Sequence, residues 1–287
     1  MSSLAMWYET YATLGLLVVG WFVFYLLARF LKLERFGVEL HPLYAMYKST
    51  RLNSVLIRVG SWRPGLWRVV GNVGVASFFG QVAFMTYMLF LNLYRFLYVP
   101  AEASPVMPLI PGVTIQFQSM VWFLAAAGVV ILLHELSHGV MCAVEGIEVR
   151  SAALLVAVVT FGGAVEPDEE SLGRAGLMSK LRVFASGSLV NLVTGLLVVG
   201  VFSVVGGSLP RVVGVFLNWL YFLSINLAMV NMLPIYPLDG GQMVREYLAT
   251  KPGWGRVLER MTMFSFLALM VSNLLLSLVK FGLVPIL

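Results

Sequence analysis

Residues 183–205, VFASGSLVNLVTGLLVVGVFSVV, hold no charged side chain over 23 positions. Such a run has few ways to fold. About 20 apolar residues in a helix cross the hydrocarbon core of a bilayer, and in lipid only helices and closed barrels satisfy their own backbone. Five other runs are similarly long and predominantly apolar, at approximately 11–30, 73–97, 119–144, 212–233 and 263–281. Composition agrees: 60% of the 287 residues are hydrophobic and 11% charged. A soluble domain has about 45–50% and 25%. The chain reads as mainly α, a polytopic membrane bundle of about six helices in one integral membrane domain over 1–287. The first run lacks a basic leader and a small-residue cleavage site, so it reads as a retained span and not a signal peptide.

Charge placement orients the bundle. Net charge is +5, and sixteen of the nineteen Lys and Arg follow spans 1, 3 and 5. They include Arg29 to Arg68, Arg150 to Arg182 and Arg245 to Arg260, leaving Arg95, Arg211 and Lys280 for the other side. Basic residues in short loops favour the cytoplasm. A multi-pass protein of the cell membrane with both termini outside fits this distribution. The partners of these basic residues are then anionic lipid heads and not nucleic acid. The single cysteine, Cys142, excludes an internal disulfide.

Two regions between spans, about 37–60 and 147–167, read as short membrane-associated strands. GVELHPLYAMYKS (37–49) alternates patchily, and VRSAALLVAVVTFGGAVEP (149–167) is rich in Val and Ala. The second is long enough to cross the membrane as a helix. Arg150 at one end and Glu166 with Asp168-Glu169-Glu170 at the other favour strands or a re-entrant hairpin.

Within the third run stands VILLHELSHGVM (130–141), which contains two of the chain's three histidines. On a helix His134 and His138 lie about 40° and 6 Å apart on one face, close enough to reach one metal ion. An acidic residue such as Glu135 costs about 2.5–3.5 kcal/mol at mid-bilayer. The bland alternative, a helix that happens to carry two histidines, offers nothing to offset that cost. H-E-x-x-H is a zinc-hydrolase pattern with glutamate as general base, and a catalytic zinc needs a third protein ligand. Asp239, in NMLPIYPLDGGQ (231–242), is the acidic residue at the end of another span. Pro234 and Pro237 end that helix, and Gly240-Gly241 allow a sharp turn. Asp239 is therefore expected on a non-helical turn aimed back at the bundle. Spans 3 and 5 run in the same direction, so the histidines and Asp239 reach the same leaflet.

HELSHG followed by NMLPIYPLDGG resembles the site-2 protease family of intramembrane zinc metalloproteases. A third family feature, G-x-x-x-N, is matched by GSLVN, from Gly187 to Asn191, with Ser188 where proline is frequent in the family. The resemblance covers roughly residues 37–245 and is to a compact prokaryotic or archaeal type without a PDZ or CBS module. It implies one Zn2+ held by His134, His138 and Asp239, with Glu135 as catalytic base. It also implies Asn231 near the metal against the substrate carbonyl, and transmembrane protein substrates cut toward the cytoplasmic side. Asn191 belongs either to the site or to an interhelical hydrogen bond, worth about 0.6 kcal/mol on average. The rival reading is a metal transporter or channel using the same cluster, for which polar residues on several spans and internal repeats are expected.

Overall fold

The computed structural model describes residues 3–49, 51–111, 113–157 and 161–282. Each apolar run becomes a helix: α1 (Ser3–Phe30), α3 (Pro64–Tyr98), α4 (Phe117–Glu145), α6 (Leu177–Val205), α7 (Arg211–Asn231) and α9 (Gly255–Phe281). Between them lie three shorter helices, α2 (Arg51–Ser61), α5 (Glu169–Arg174) and α8 (Asp239–Ala249). Among the described residues five helices, α3, α4, α6, α7 and α9, are long and apolar enough to cross a membrane. In α1 the apolar stretch is shorter, Leu17–Phe30. Proline starts α3, where its missing N–H costs nothing. Gly146, in the left-handed region at φ 71°, closes α4. The fifth run was expected to reach 233, but α7 stops at Asn231 because Pro234 cannot continue a helix.

Lipid tails are as apolar as leucine, so spanning helices associate through close contact at small residues. Gly71 and Gly74 of α3 lie against Arg182 and Ala185 of α6, where a Cβ would come within 2.9 and 3.2 Å of a side-chain carbon. Gly195 of α6 admits the Ile225 side chain of α7. Trp219 is 1% exposed and meets Phe123 of α4 edge-on, ring centroids 5.4 Å apart.

Polar contacts gather the helix ends at two levels. At one level Arg182 donates to the buried Glu145 carboxylate at 3.0 Å, and Ser179 donates to its other oxygen. Lys180 meets Glu246 at 2.9 Å at the same level. At the other level Asn92 of α3 donates to Asn273 of α9 at 3.1 Å, and Phe96 faces Phe281.

The strands form one antiparallel sheet in the order β1 (Val38–Leu40), β2 (Tyr44–Ser49), β3 (Val149–Ala157), β4 (Phe161–Pro167). The 149–167 segment is thus a hairpin that returns to its starting level, with Val149 opposite Pro167. Arg150 and Asp168 clamp its open end at 2.9 Å. Asp168 also caps α5 by accepting from the Ser171 amide at 2.8 Å, and these two contacts hold its carboxyl below the usual range. One expectation is corrected: the strand region placed at 37–60 ends at Ser49, and residues 51–61 are α2. Leu56 and Gly60 lie four residues apart on one helical face, both buried against α4 at Gly139 and Ala143. A strand would put them on one face as well, but without the 3.6-residue stripe that fits the groove of α4.

Cysteines introduced at Ser171 and Thr250, in a Cys142→Ala background, should react with an impermeant thiol reagent from one side of the membrane. A cysteine at Ser104 should react from the opposite side. Labelling of Ser171 and Thr250 from opposite sides contradicts the hairpin.

Candidate metal centre

His134 and His138 project from the C-terminal half of α4, and Asp239 opens α8 immediately after the bend that ends α7. All three are less than one-tenth exposed. His134 Nε2 lies 3.1 Å from His138 Nε2 and 3.2 Å from Asp239 Oδ2, and His138 Nε2 lies 3.4 Å from the same oxygen. Three lone-pair-bearing atoms that close repel unless a cation or proton sits among them. Zinc binds imidazole nitrogen and carboxylate oxygen at about 2.0–2.2 Å in tetrahedral sites, which sets neighbouring donors about 3.3–3.5 Å apart. The triangle fits that ion.

The surrounding groups fix the rings for ligation. His138 Nδ1–H donates to the Val183 carbonyl at 2.7 Å, so the ring proton sits on Nδ1 and Nε2 is free toward Asp239. On the other ring, His134 Nδ1 lies 3.0 Å from the Asn191 carboxamide, whose oxygen is buried without another partner. Rotating the carboxamide about its last bond brings that oxygen onto the Nδ1–H, leaving Nε2 for the ligand set. Asn191 therefore ties α6 to His134 of α4 through an interhelical bond. Asn231 Nδ2 lies 3.0 Å from His134 Nε2 and donates to Asp239 Oδ2 at 3.2 Å.

Backbone packing brings these groups together. Val183, Gly187 and Asn191 recur every four residues along one stripe of α6 that faces the histidines. At Gly187 a Cβ would run into His138 Nε2 and both His134 ring atoms nearest α6. Gly240 and Gly241 let α8 start flush against the Met232–Tyr236 backbone, where any Cβ would strike Met232 or Ile235. Asp239 is consequently the first residue of a helix and not part of an open turn, with Leu238 at its N-cap. Its carboxylate lies at the positive end of the α8 dipole.

Glu135 is half-buried beside the trio and turned toward the sheet. Its Oε2 accepts from the Val165 amide at 2.9 Å. Gly163 packs so closely on α4 that a Cβ there would come within 2.8 Å of Glu135 Cγ. All the residues expected in the site, His134, Glu135, His138, Asn191, Asn231 and Asp239, converge. The Val183 carbonyl, the Val165 amide and the contact role of Gly187 were not anticipated. The four-residue spacing from Val183 to Asn191 carried a signal for two of them.

Gly187→Ala should push the imidazoles apart and weaken metal binding on the order of 10- to 100-fold, the range for changes in groups that orient ligands. Metal analysis of the purified variant across a chelator series checks this. Wild-type affinity in Gly187→Ala would contradict the packing described.

The model of peptidase family M50 matches this chain over residues 122–213 and 198–272, together more than half of its length. Rip3 of Mycobacterium tuberculosis is 30% identical over 156 residues, covering 50% of this chain and 37% of Rip3. A zinc metalloprotease of Methanocaldococcus jannaschii is 26% identical over 173 residues, covering 57% and 47%. The membrane-bound transcription factor site-2 protease homolog of Arabidopsis thaliana is 24% identical over 145 residues, covering 50% and 28%. The chain spans less than half the length of each of these curated relatives. The matched region holds both histidines, Asn191, Asn231 and Asp239, and on that family match the chain belongs to peptidase family M50.

Proposed function

We propose that the chain is an intramembrane zinc metalloprotease that hydrolyses a peptide bond in or near a transmembrane segment of membrane-protein substrates. The observation that carries this reading is the buried triangle of His134, His138 and Asp239 with the Glu135 carboxylate beside it. Zinc held by the three supplies the Lewis acidity that makes water nucleophilic near neutral pH. Glu135 is placed to take a proton from the attacking water and return it to the departing amine. The Asn231 amide stands over the same space and can donate to the oxygen of the scissile carbonyl as charge develops. Asn191 and the Val183 carbonyl hold the two imidazoles in their ligating tautomers.

A transmembrane substrate arrives as a closed helix and must be opened before it can be cut. The edge strand β4 ends the sheet beside Glu135, with the Val165 N–H turned out of the ladder toward that carboxylate. An unwound segment pairing along this edge, by strand addition, would meet the base directly. The charge distribution supports a cytoplasmic location for the end of the bundle that holds Glu145, Lys180 and Glu246, with the termini outside. The site lies nearer that end, which keeps the path for water short. Among the described residues the buried histidine and aspartate side chains gather in this one cluster, while the buried Asn92 and Asn273 bond to each other. A transport route would need further ionisable stations along the bundle.

Glu135→Gln should keep zinc and lose cleavage, because it removes the base and spares the ligands. A rate loss of at least 10²–10⁴-fold is expected for general acid–base chemistry, measured with the purified variant on a reconstituted model substrate. Zinc-replete Glu135→Gln cutting at the wild-type rate would sink the assignment.

A further inference from the structure

Above the metal centre, toward the end of the bundle that holds Arg95 and Arg211, α4 and α7 part to leave a cavity of about 290 Å³. Its walls are Ala127 and Ile131 of α4 and Leu223, Leu227 and Val230 of α7, and Leu109 roofs it. Two features tie it to the chemistry. Ala127, Ile131 and Glu135 fall at four-residue spacing on one face of α4, so the nearer wall stands about 6 Å along the axis from the base. Ile131 also borders Gly163 of β4, where a Cβ would lie 3.2 Å from its Cγ2. On the other wall Val230 immediately precedes Asn231, whose amide is 3.0 Å from His134. A larger cavity of about 600 Å³ shares Leu109, Asn226 and Val230 and continues to α3 and α9; the Asn226 amide donates to the Phe222 carbonyl. The cavity thus borders the metal centre through Ile131, one helical turn from Glu135, and Val230, next to Asn231.

We propose that this cavity is a specificity subsite that takes one bulky apolar side chain of the substrate, on the Arg95/Arg211 side of the scissile bond. The inference rests on the protease reading and adds to it the residue that the enzyme selects. An extended chain advances about 3.3 Å per residue with side chains alternating in direction. A segment lying along β4 thus reaches a wall 6 Å from Glu135 within one to three positions of the cut. The volume decides the occupant's size: a cavity of about 150 Å³ already accommodates benzene. The subsite therefore accepts a phenylalanine or leucine side chain, and a glycine or alanine would leave most of it unfilled. Selection is set by Ala127, whose methyl group leaves the space, and by Ile131 and Val230, which set its depth.

The test uses the full-length protein in proteoliposomes. Model transmembrane substrates carry Gly, Ala, Leu, Phe or Trp at each of the three positions on that side of the cut. Wild type should favour Leu or Phe over Gly at one of them by about tenfold or more, the range for apolar pocket discrimination. Ala127→Phe fills the cavity and should collapse that ratio toward one with zinc content unchanged. Ile131→Ala deepens the cavity and should shift the preference from Leu toward Trp, which keeps the proposal testable if Ala127→Phe does not fold. A Leu and Phe preference that survives in zinc-replete Ala127→Phe, with no gain for Trp in Ile131→Ala, overturns the subsite. So does a co-purified acyl chain that mass spectrometry finds in wild type and not in Ala127→Phe, if residue preference is the same in both. If wild type cleaves no substrate in a Glu135-dependent way, the protease reading itself falls.

Discussion

Three donor atoms within 3.4 Å of one another, on three side chains shielded from solvent, are the constraint on which the rest of the structure turns. Left alone they repel, and burial removes the water that would screen them. A cation resolves this, and its demands extend outward. The Val183 carbonyl and the Asn191 carboxamide must fix the ring protons. Gly187 must leave room for the imidazoles, and α8 must begin where Asp239 can reach them. These requirements fall on α4, α6 and α8, and Asn231 at the end of α7 adds its contacts to His134 and Asp239, so the four helices are held in one relative placement around the centre.

The sheet serves the same centre from its other side. It leaves β4 as an edge strand against α4, and the Val165 amide holds the Glu135 carboxylate against the sheet. A carboxylate inside an apolar span needs such a donor at rest. The same contact couples the base to the strand edge. In the proposed mechanism a segment pairing along β4 would compete for the amide that holds Glu135, which would link docking to release of the carboxylate.

Much of this was legible in the sequence because lipid limits the options so severely. Apolar runs such as 183–205 had to be helices, and HELSH inside one had to have a purpose. Pro234, Pro237 and the glycine pair marked the bend that brings Asp239 inward. Residues 51–61 carry Leu52, Val55, Leu56 and Val59 at helical spacing, a signal that outweighs the patchy alternation before them, and the groove of α4 at Gly139 and Ala143 receives that helix at Leu56 and Gly60. Other features depended on tertiary contact. Asp239 opening a helix could not be told from an open turn, since proline and glycine allow both. Backbone partners such as Val183 O and Val165 N carry no side-chain signature at all. The stripe from Val183 to Asn191 was visible, but its meaning depended on knowing that the histidines lay opposite.

The central claim is that these ligands hold one zinc ion. Anomalous diffraction from crystals of the zinc-loaded protein, collected on both sides of the zinc edge, tests it most directly. The account predicts a single strong zinc peak about 2.0–2.2 Å from His134 Nε2, His138 Nε2 and an Asp239 oxygen. A peak elsewhere, or no zinc at this position in protein that cleaves its substrate, would contradict it.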